Sequence, residues 1–78
     1  MMGEDQILEK VTLLAIYKKQ PDESLDDILE ILVDTGMYDH AEGREVFARL
    51  RKSGHIVGDA LSLVGLNIAK RAEQEFKQ

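Results

Sequence analysis

The spacing of hydrophobic residues along the chain predicts four helices and one short hairpin. In four stretches, apolar residues recur every three or four positions, which places them on one face of an α-helix. After the third stretch the spacing changes, and two short extended pieces, His55-Ile56-Val57 and Ala60-Leu61, flank the turn residues Gly58-Asp59. The predicted helices span Asp5–Lys19, Leu25–Thr35, His40–Ser53 and Leu63–Phe76. The pattern therefore predicts a mostly α fold with three helices, a short two-stranded β-hairpin and a C-terminal helix.

Polar residues at the predicted helix starts support these boundaries. Ser24 with Asp27, and Asp39 with Glu42, have the spacing of capping boxes, in which each partner satisfies a backbone N–H of the other. Ser62 stands where it can cap the C-terminal helix.

The apolar positions also predict the core. We expect one buried set with members in all the elements: Ile7, Val11, Leu14, Ile28, Leu32, Val46, Phe47, Leu50, Ile56, Leu61, Ile68 and Ala72. The first helix carries a second apolar stripe of Leu13, Ile16 and Tyr17. Two interpretations of this stripe remain open. Either the helix is buried on two sides, or, if the C-terminal helix leaves the stripe uncovered, the stripe forms a two-fold homodimer interface.

Composition narrows the class of protein. The chain has 78 residues, so we expect one domain over 1–78. It has no Cys, which excludes disulfides and thiolate metal sites. Its net charge is −5. No apolar run is long enough to cross a membrane, and the start Met1-Met2-Gly3-Glu4-Asp5 does not have the pattern of a secretory signal. These observations favour a cytoplasmic protein with no membrane partner.

No sequence pattern indicates catalysis. The two histidines, His40 and His55, do not have the spacing of a metal-binding pair, and the serines Ser24, Ser53 and Ser62 lie at predicted helix ends, where hydroxyls satisfy backbone groups. Phosphate-binding loops and nucleophile elbows are absent from the sequence. We therefore expect no enzymatic activity, no catalytic residues, no cofactor and no metal.

Two stretches carry a family resemblance. Leu50-Arg51-Lys52-Ser53-Gly54-His55-Ile56-Val57 is similar to the end of a recognition helix that leads into a wing. Leu61-Ser62-Leu63-Val64-Gly65-Leu66-Asn67-Ile68-Ala69 is similar to the Leu-Thr-x-x-Gly-x-x-x-Ala pattern that follows the wing. The chain thus resembles the small winged-helix (winged helix-turn-helix) domains of transcriptional regulators. The resemblance implies that the third helix enters the major groove of double-stranded DNA.

The charge pattern leaves two functions open. Arg44, Arg51 and Lys52, with Ala48 between them, are expected on the outward half of the third helix, where they would contact DNA. The second helix is instead acidic, and the hairpin tip carries Asp59, which would repel phosphate. The leading prediction is a DNA-binding domain of transcription regulation. The alternative is an acidic protein-protein interaction module that keeps the fold without binding DNA.

Overall fold

The computed structural model describes residues 4–76, which form four α-helices and a two-stranded antiparallel sheet. The helices are α1 (Glu4–Tyr17), α2 (Leu25–Asp34), α3 (His40–Lys52) and α4 (Leu63–Phe76). Strands β1 (Ile56–Val57) and β2 (Ala60–Leu61) lie between α3 and α4 and pair Ile56 with Leu61 and Val57 with Ala60. The mostly helical class, the hairpin and the order of the elements are confirmed.

The helix starts are held by the predicted side chains. Ser24 Oγ accepts a hydrogen bond from the Asp27 N–H at 3.1 Å, and Asp27 Oδ2 accepts one from the Ser24 N–H at 3.0 Å, which completes the capping box of α2. Asp39 Oδ1 accepts a hydrogen bond from the Glu42 N–H at 2.8 Å. The Glu42 carboxylate does not accept the return bond from the Asp39 N–H, so only one of the two hydrogen bonds of the predicted capping box forms at α3. Ser62 Oγ accepts from the N–H of Gly65 at 3.1 Å, as predicted for α4.

A close approach between α2 and α3 depends on a glycine. A Cβ at Gly43 would lie 2.4 Å from Cδ1 of Leu29 and 2.8 Å from Cε1 of Tyr38, so a larger residue would force these side chains apart. Gly54, which follows α3, has φ +84°, a conformation that residues with a Cβ adopt only with strain. The two glycines thus fix how closely α3 packs on α2 and where the chain turns toward the hairpin.

One hydrophobic core lies between the helices and the inner side of the hairpin. Most of the predicted core is confirmed as buried: Ile28, Leu32, Val46, Phe47, Leu50, Ile56 and Ala72. Val11, Leu14, Leu61 and Ile68 are partly buried. The prediction is wrong for Ile7, whose side chain is 55% exposed.

The second stripe of α1 requires a correction. Leu13 and Ile16 are only 2% and 3% exposed and belong to the core of the single chain. The physical reason is that α1 packs against α4 most extensively and also contacts α2, α3 and β2, so it is covered on more than one side. Leu13 and Ile16 are therefore not available to a second copy of the chain, and the predicted dimer interface is wrong for them. Tyr17 remains at the surface.

A buried hydrogen bond links α1 to the segment before α3. Thr12 is 0% exposed, and its Oγ1 lies 2.9 Å from the hydroxyl of Tyr38, which is 6% exposed. Burial raises the pKa of Tyr38 above its ordinary value, although the hydrogen bond with Thr12 opposes the shift. Because each hydroxyl satisfies the other, the core carries this polar pair without an unpaired buried group.

Candidate nucleic-acid interface

Helix α3 separates an apolar inner face from a charged outer face. Gly43, Val46, Phe47 and Leu50 are buried against the core. The structure brings the four predicted site residues together on the exposed side of the helix: Arg44, Ala48, Arg51 and Lys52. Since α3 begins at a capped residue and its inner face is fixed by packing, this outer face is held in one orientation.

The outer face of α3 forms one wall of a groove, and α2 forms the other. The groove has a volume of about 640 Å³, and Leu25, Leu29 and Phe47 lie among the residues that line it. The four site residues line the α3 side, whereas Asp26 and Glu30 line the α2 side. The groove therefore has one basic and one acidic wall.

A close contact between a histidine and a glutamate crosses this groove. Nε2 of His40, in the first turn of α3, lies 2.8 Å from Oε2 of Glu30 on α2. Glu30 thus binds His40, and no ion pair forms between Glu30 and Arg44. The sequence predicts only that the second helix is acidic, because the position of Glu30 and Asp26 across from α3 depends on how the two helices pack. Their i, i+4 spacing on α2 was the one available signal that they share a side.

Of the six cations that the structure describes outside this surface, three are paired with carboxylates, namely Lys10, Lys18 and Arg49. Lys10 pairs with Glu75 at 3.0 Å and Lys18 with Glu73 at 2.8 Å, which tie α1 to α4. The hydrogen bond and the charge of Glu73 raise the pKa of Lys18. These pairs are partly or largely exposed, so each one adds little to stability. Their importance here is that they neutralise positive charge on the α1–α4 side of the molecule.

The cations of α3 differ in their partners. Nε of Arg49 lies 3.2 Å from Oε2 of Glu9 on α1, so the charge of Arg49 is compensated by a carboxylate. Within residues 7–76, neither Arg44 nor Lys52 forms an ion pair, not even with Glu42 or Glu45 on the same helix. Arg51 Nη1 donates to the carbonyl oxygen of Gly58 at 3.0 Å, a bond that leaves its charge uncompensated. Three positive charges therefore remain on the outward face of α3.

The bond from Arg51 also fixes the hairpin. Gly58 is in the turn that joins β1 to β2, and the next residue, Asp59, is exposed. By holding this turn beside the end of α3, Arg51 places an acidic tip near the positive face. This contact could not be predicted from the sequence, because an arginine seven residues before a turn has no characteristic spacing.

In the described part of the chain, no group of three or more His, Cys, Asp or Glu side chains is arranged to hold a metal ion. Among its helices, none has the length and apolar character needed to span a bilayer.

Comparisons with known proteins add no relatives to this description. No protein-family model matches the chain, and neither the curated proteins nor the solved structures include a significant match.

Proposed function

We propose that this chain is a winged-helix domain that binds double-stranded DNA through the outward face of α3. The observation that carries the proposal is the set of uncompensated cations Arg44, Arg51 and Lys52 on one helix face of a protein whose acidic residues outnumber its basic ones by 15 to 10. Where carboxylates are in excess, a cluster of cations without carboxylate partners favours an anionic ligand. The order of three helices, hairpin and helix also supports it, being the order of the winged-helix domains that the sequence resembles.

The position of α3 in the fold and its exposed side chains suit the major groove of DNA. In helix-turn-helix proteins the second helix of the motif lies in the major groove, and α3 follows α2 in that position. Ala48 lies with the three cations on the side of α3 that lines the groove between α2 and α3. Its small side chain permits close approach of DNA and apolar contact with a thymine methyl group. Arg44 and Lys52 supply the contacts to phosphates or guanine edges.

The binding is expected to be weak and strongly dependent on salt. Each phosphate contact contributes about −0.9 to the slope of log affinity against log salt, so three contacts give a slope of about −3. Asp59 at the hairpin tip and Asp26 and Glu30 across the groove reduce the attraction further. The isolated domain should therefore bind a duplex at low salt and lose most of this affinity at physiological salt.

The test is a titration of a fluorescent DNA duplex at several salt concentrations. Arg44→Gln/Lys52→Gln removes two contacts and should flatten the salt slope from about −3 to about −1. The matched control, Lys70→Gln/Arg71→Gln on α4, makes the same change in net charge and should leave the slope near −3. Equal losses from both double variants would show that only net charge matters and would contradict the assignment of the site to α3.

The alternative function is a protein-protein interaction module that does not bind DNA. The mixed charge of the groove favours it, because the acidic α2 wall and Asp59 interrupt the positive surface. A wild-type protein that does not bind the duplex even at low salt would leave this alternative as the better account.

A further inference from the structure

A second cavity lies apart from the α3 groove and shares no lining residue with it. Its volume is about 340 Å³, within the usual size of small-ligand sites. It opens between α1, the end of α3 and α4. Three aliphatic side chains line it, Leu13, Leu50 and Ile68, of which the first two are core residues almost closed to solvent. Its polar lining residues are Glu9, Lys10, His55, Arg71 and Glu75.

Among the charged residues that line this cavity, one cation has no ion-pair partner within residues 7–76. Lys10 Nζ is bound to Glu75 Oε1 at 3.0 Å, so these two charges compensate each other within the rim. Glu9 is compensated by Arg49, whose Nε is 3.2 Å away. The guanidinium of Arg71 forms no ion pair within residues 7–76. The cavity therefore combines a small aliphatic patch with a charged rim, on which Arg71 is the cation that has no ion pair within residues 7–76.

His55 forms a fixed part of the wall. Its N–H donates to the Leu50 carbonyl at 2.8 Å, and its own carbonyl accepts from the Ser62 N–H at 3.0 Å. The ring is held as well, because Nδ1 lies 2.5 Å from Ser53 Oγ. This side of the cavity is thus formed before any ligand arrives, which lowers the entropic cost of binding.

We propose that this cavity binds a small monocarboxylate with an apolar body. The carboxylate pairs with the Arg71 guanidinium, whose planar fork matches two carboxylate oxygens, and the apolar body lies on the aliphatic lining. A singly charged anion fits better than a phosphate dianion, because Glu9 and Glu75 on the rim repel a second negative charge. The proposal concerns a surface separate from the α3 groove and stands whether or not the chain binds DNA.

The test is a titration of the ¹⁵N-labelled protein followed by heteronuclear NMR, with hexanoate as the probe. Hexanoate should shift the amide signals of Leu50, His55, Ile68 and Arg71 in a saturable way. Pentylammonium and 1-pentanol carry the same apolar chain without the carboxylate and should bind at least about tenfold more weakly, the loss expected when a charged hydrogen-bonded group is missing. Equal binding of all three probes, or hexanoate shifts spread over unrelated parts of the protein, would overturn the proposal.

Variants at neighbouring positions of α4 identify the cation. Arg71→Gln should weaken hexanoate binding about tenfold, whereas Arg71→Lys should retain an intermediate affinity because it keeps the charge and loses the planar fork. Lys70→Gln makes the same change in net charge one position away, on an exposed side chain outside the cavity lining, and should bind hexanoate like the wild type. Because both side chains are exposed, these variants should fold, and an unchanged affinity of Arg71→Gln would refute the site.

Discussion

The contact between α4 and the start of the hairpin gives the most demanding test of the fold. A Cβ at Gly65, in the first turn of α4, would lie 2.2 Å from the backbone oxygen of His55 and 3.1 Å from its carbonyl carbon. That oxygen is held in place by the hydrogen bond from the Ser62 N–H at 3.0 Å. The His55 N–H is in turn bonded to Leu50 at the end of α3. The obstacle is therefore the His55 backbone, which is held by a hydrogen bond at its N–H and another at its carbonyl oxygen. A side-chain rotation cannot make room for the new methyl group in Gly65→Ala.

Two opposing effects set the size of the change. Replacing Gly by Ala inside a helix stabilises it by at most about 1 kcal/mol. Overpacking costs typically about 1–3 kcal/mol, and a fixed backbone atom as the obstacle places Gly65→Ala near the upper figure. The net loss is about 2 kcal/mol, a large share of the ~5 kcal/mol that holds a small domain together. For a domain of this length, that loss lowers Tm by roughly 8–16 °C.

Thermal and urea unfolding of Gly65→Ala measure this loss directly. Asn67→Ala is the matched control, because Asn67 is exposed on the same helix and its replacement changes helix propensity alone. The control should melt slightly above the wild type and Gly65→Ala well below it. A Gly65→Ala protein that melts at or above the wild-type temperature would show that α4 does not press on His55, and the position of the hairpin would have to be revised.

Three further predictions concern the core and the hairpin. Phe47→Ala should cost roughly 3–5 kcal/mol, because Phe47 is only 9% exposed, and an unchanged Tm would contradict its place in the core. Tyr38 has a raised pKa in the folded state, so it contributes stability that is present below about pH 10 and lost as the pH rises through its folded-state pKa. In urea melts at pH 8 and pH 11, Tyr38→Phe should remove this alkaline loss, while costing about 1–2 kcal/mol at pH 8 because the Thr12 hydroxyl is left unpaired. Asp59→Asn should raise duplex affinity about two- to threefold at low salt, by removing an acid from the hairpin tip. Asp34→Asn, with the same charge change on α2, should have a smaller effect, and equal effects would place the hairpin away from the DNA.

The order of the elements could be predicted from the sequence, and so could most of their bounds to within one residue, because local rules control them. The exception is the end of α1, which the spacing predicts at Lys19 and which lies at Tyr17. A capping serine or aspartate acts within three residues, as at Ser24 and Asp39, and the predicted α4, Leu63–Phe76, has the observed bounds. The buried face of α1 could not be predicted in the same way. Its two apolar stripes are equivalent by spacing, and only the packing of α4 and β2 shows that Leu13 and Ile16 lie inside.

The residues of the candidate site could be predicted from the sequence, but the ion pairs and hydrogen bonds that the neighbouring cations form could not. Helical spacing alone places Arg44, Ala48, Arg51 and Lys52 on one side of α3. The partner of Arg49 is Glu9, forty positions away in the sequence, and the partner of Arg51 is a backbone carbonyl in the hairpin. Such long-range contacts decide which cations remain available, and no local pattern encodes them.

The pairing of individual charges changes what the net charge of −5 implies about nucleic-acid binding. Net charge argues against nucleic acid only if the positive residues are neutralised wherever they lie. Here neutralisation is uneven: within residues 7–76, Lys10 and Lys18 are paired with carboxylates of α4, whereas Arg44 and Lys52 form no ion pair. The positive surface is also narrow, since Asp26 and Glu30 line the opposite wall of the groove. The proposed partner is accordingly one that presents its charge along a ridge that one helix can follow, as the phosphate backbone beside a DNA groove does.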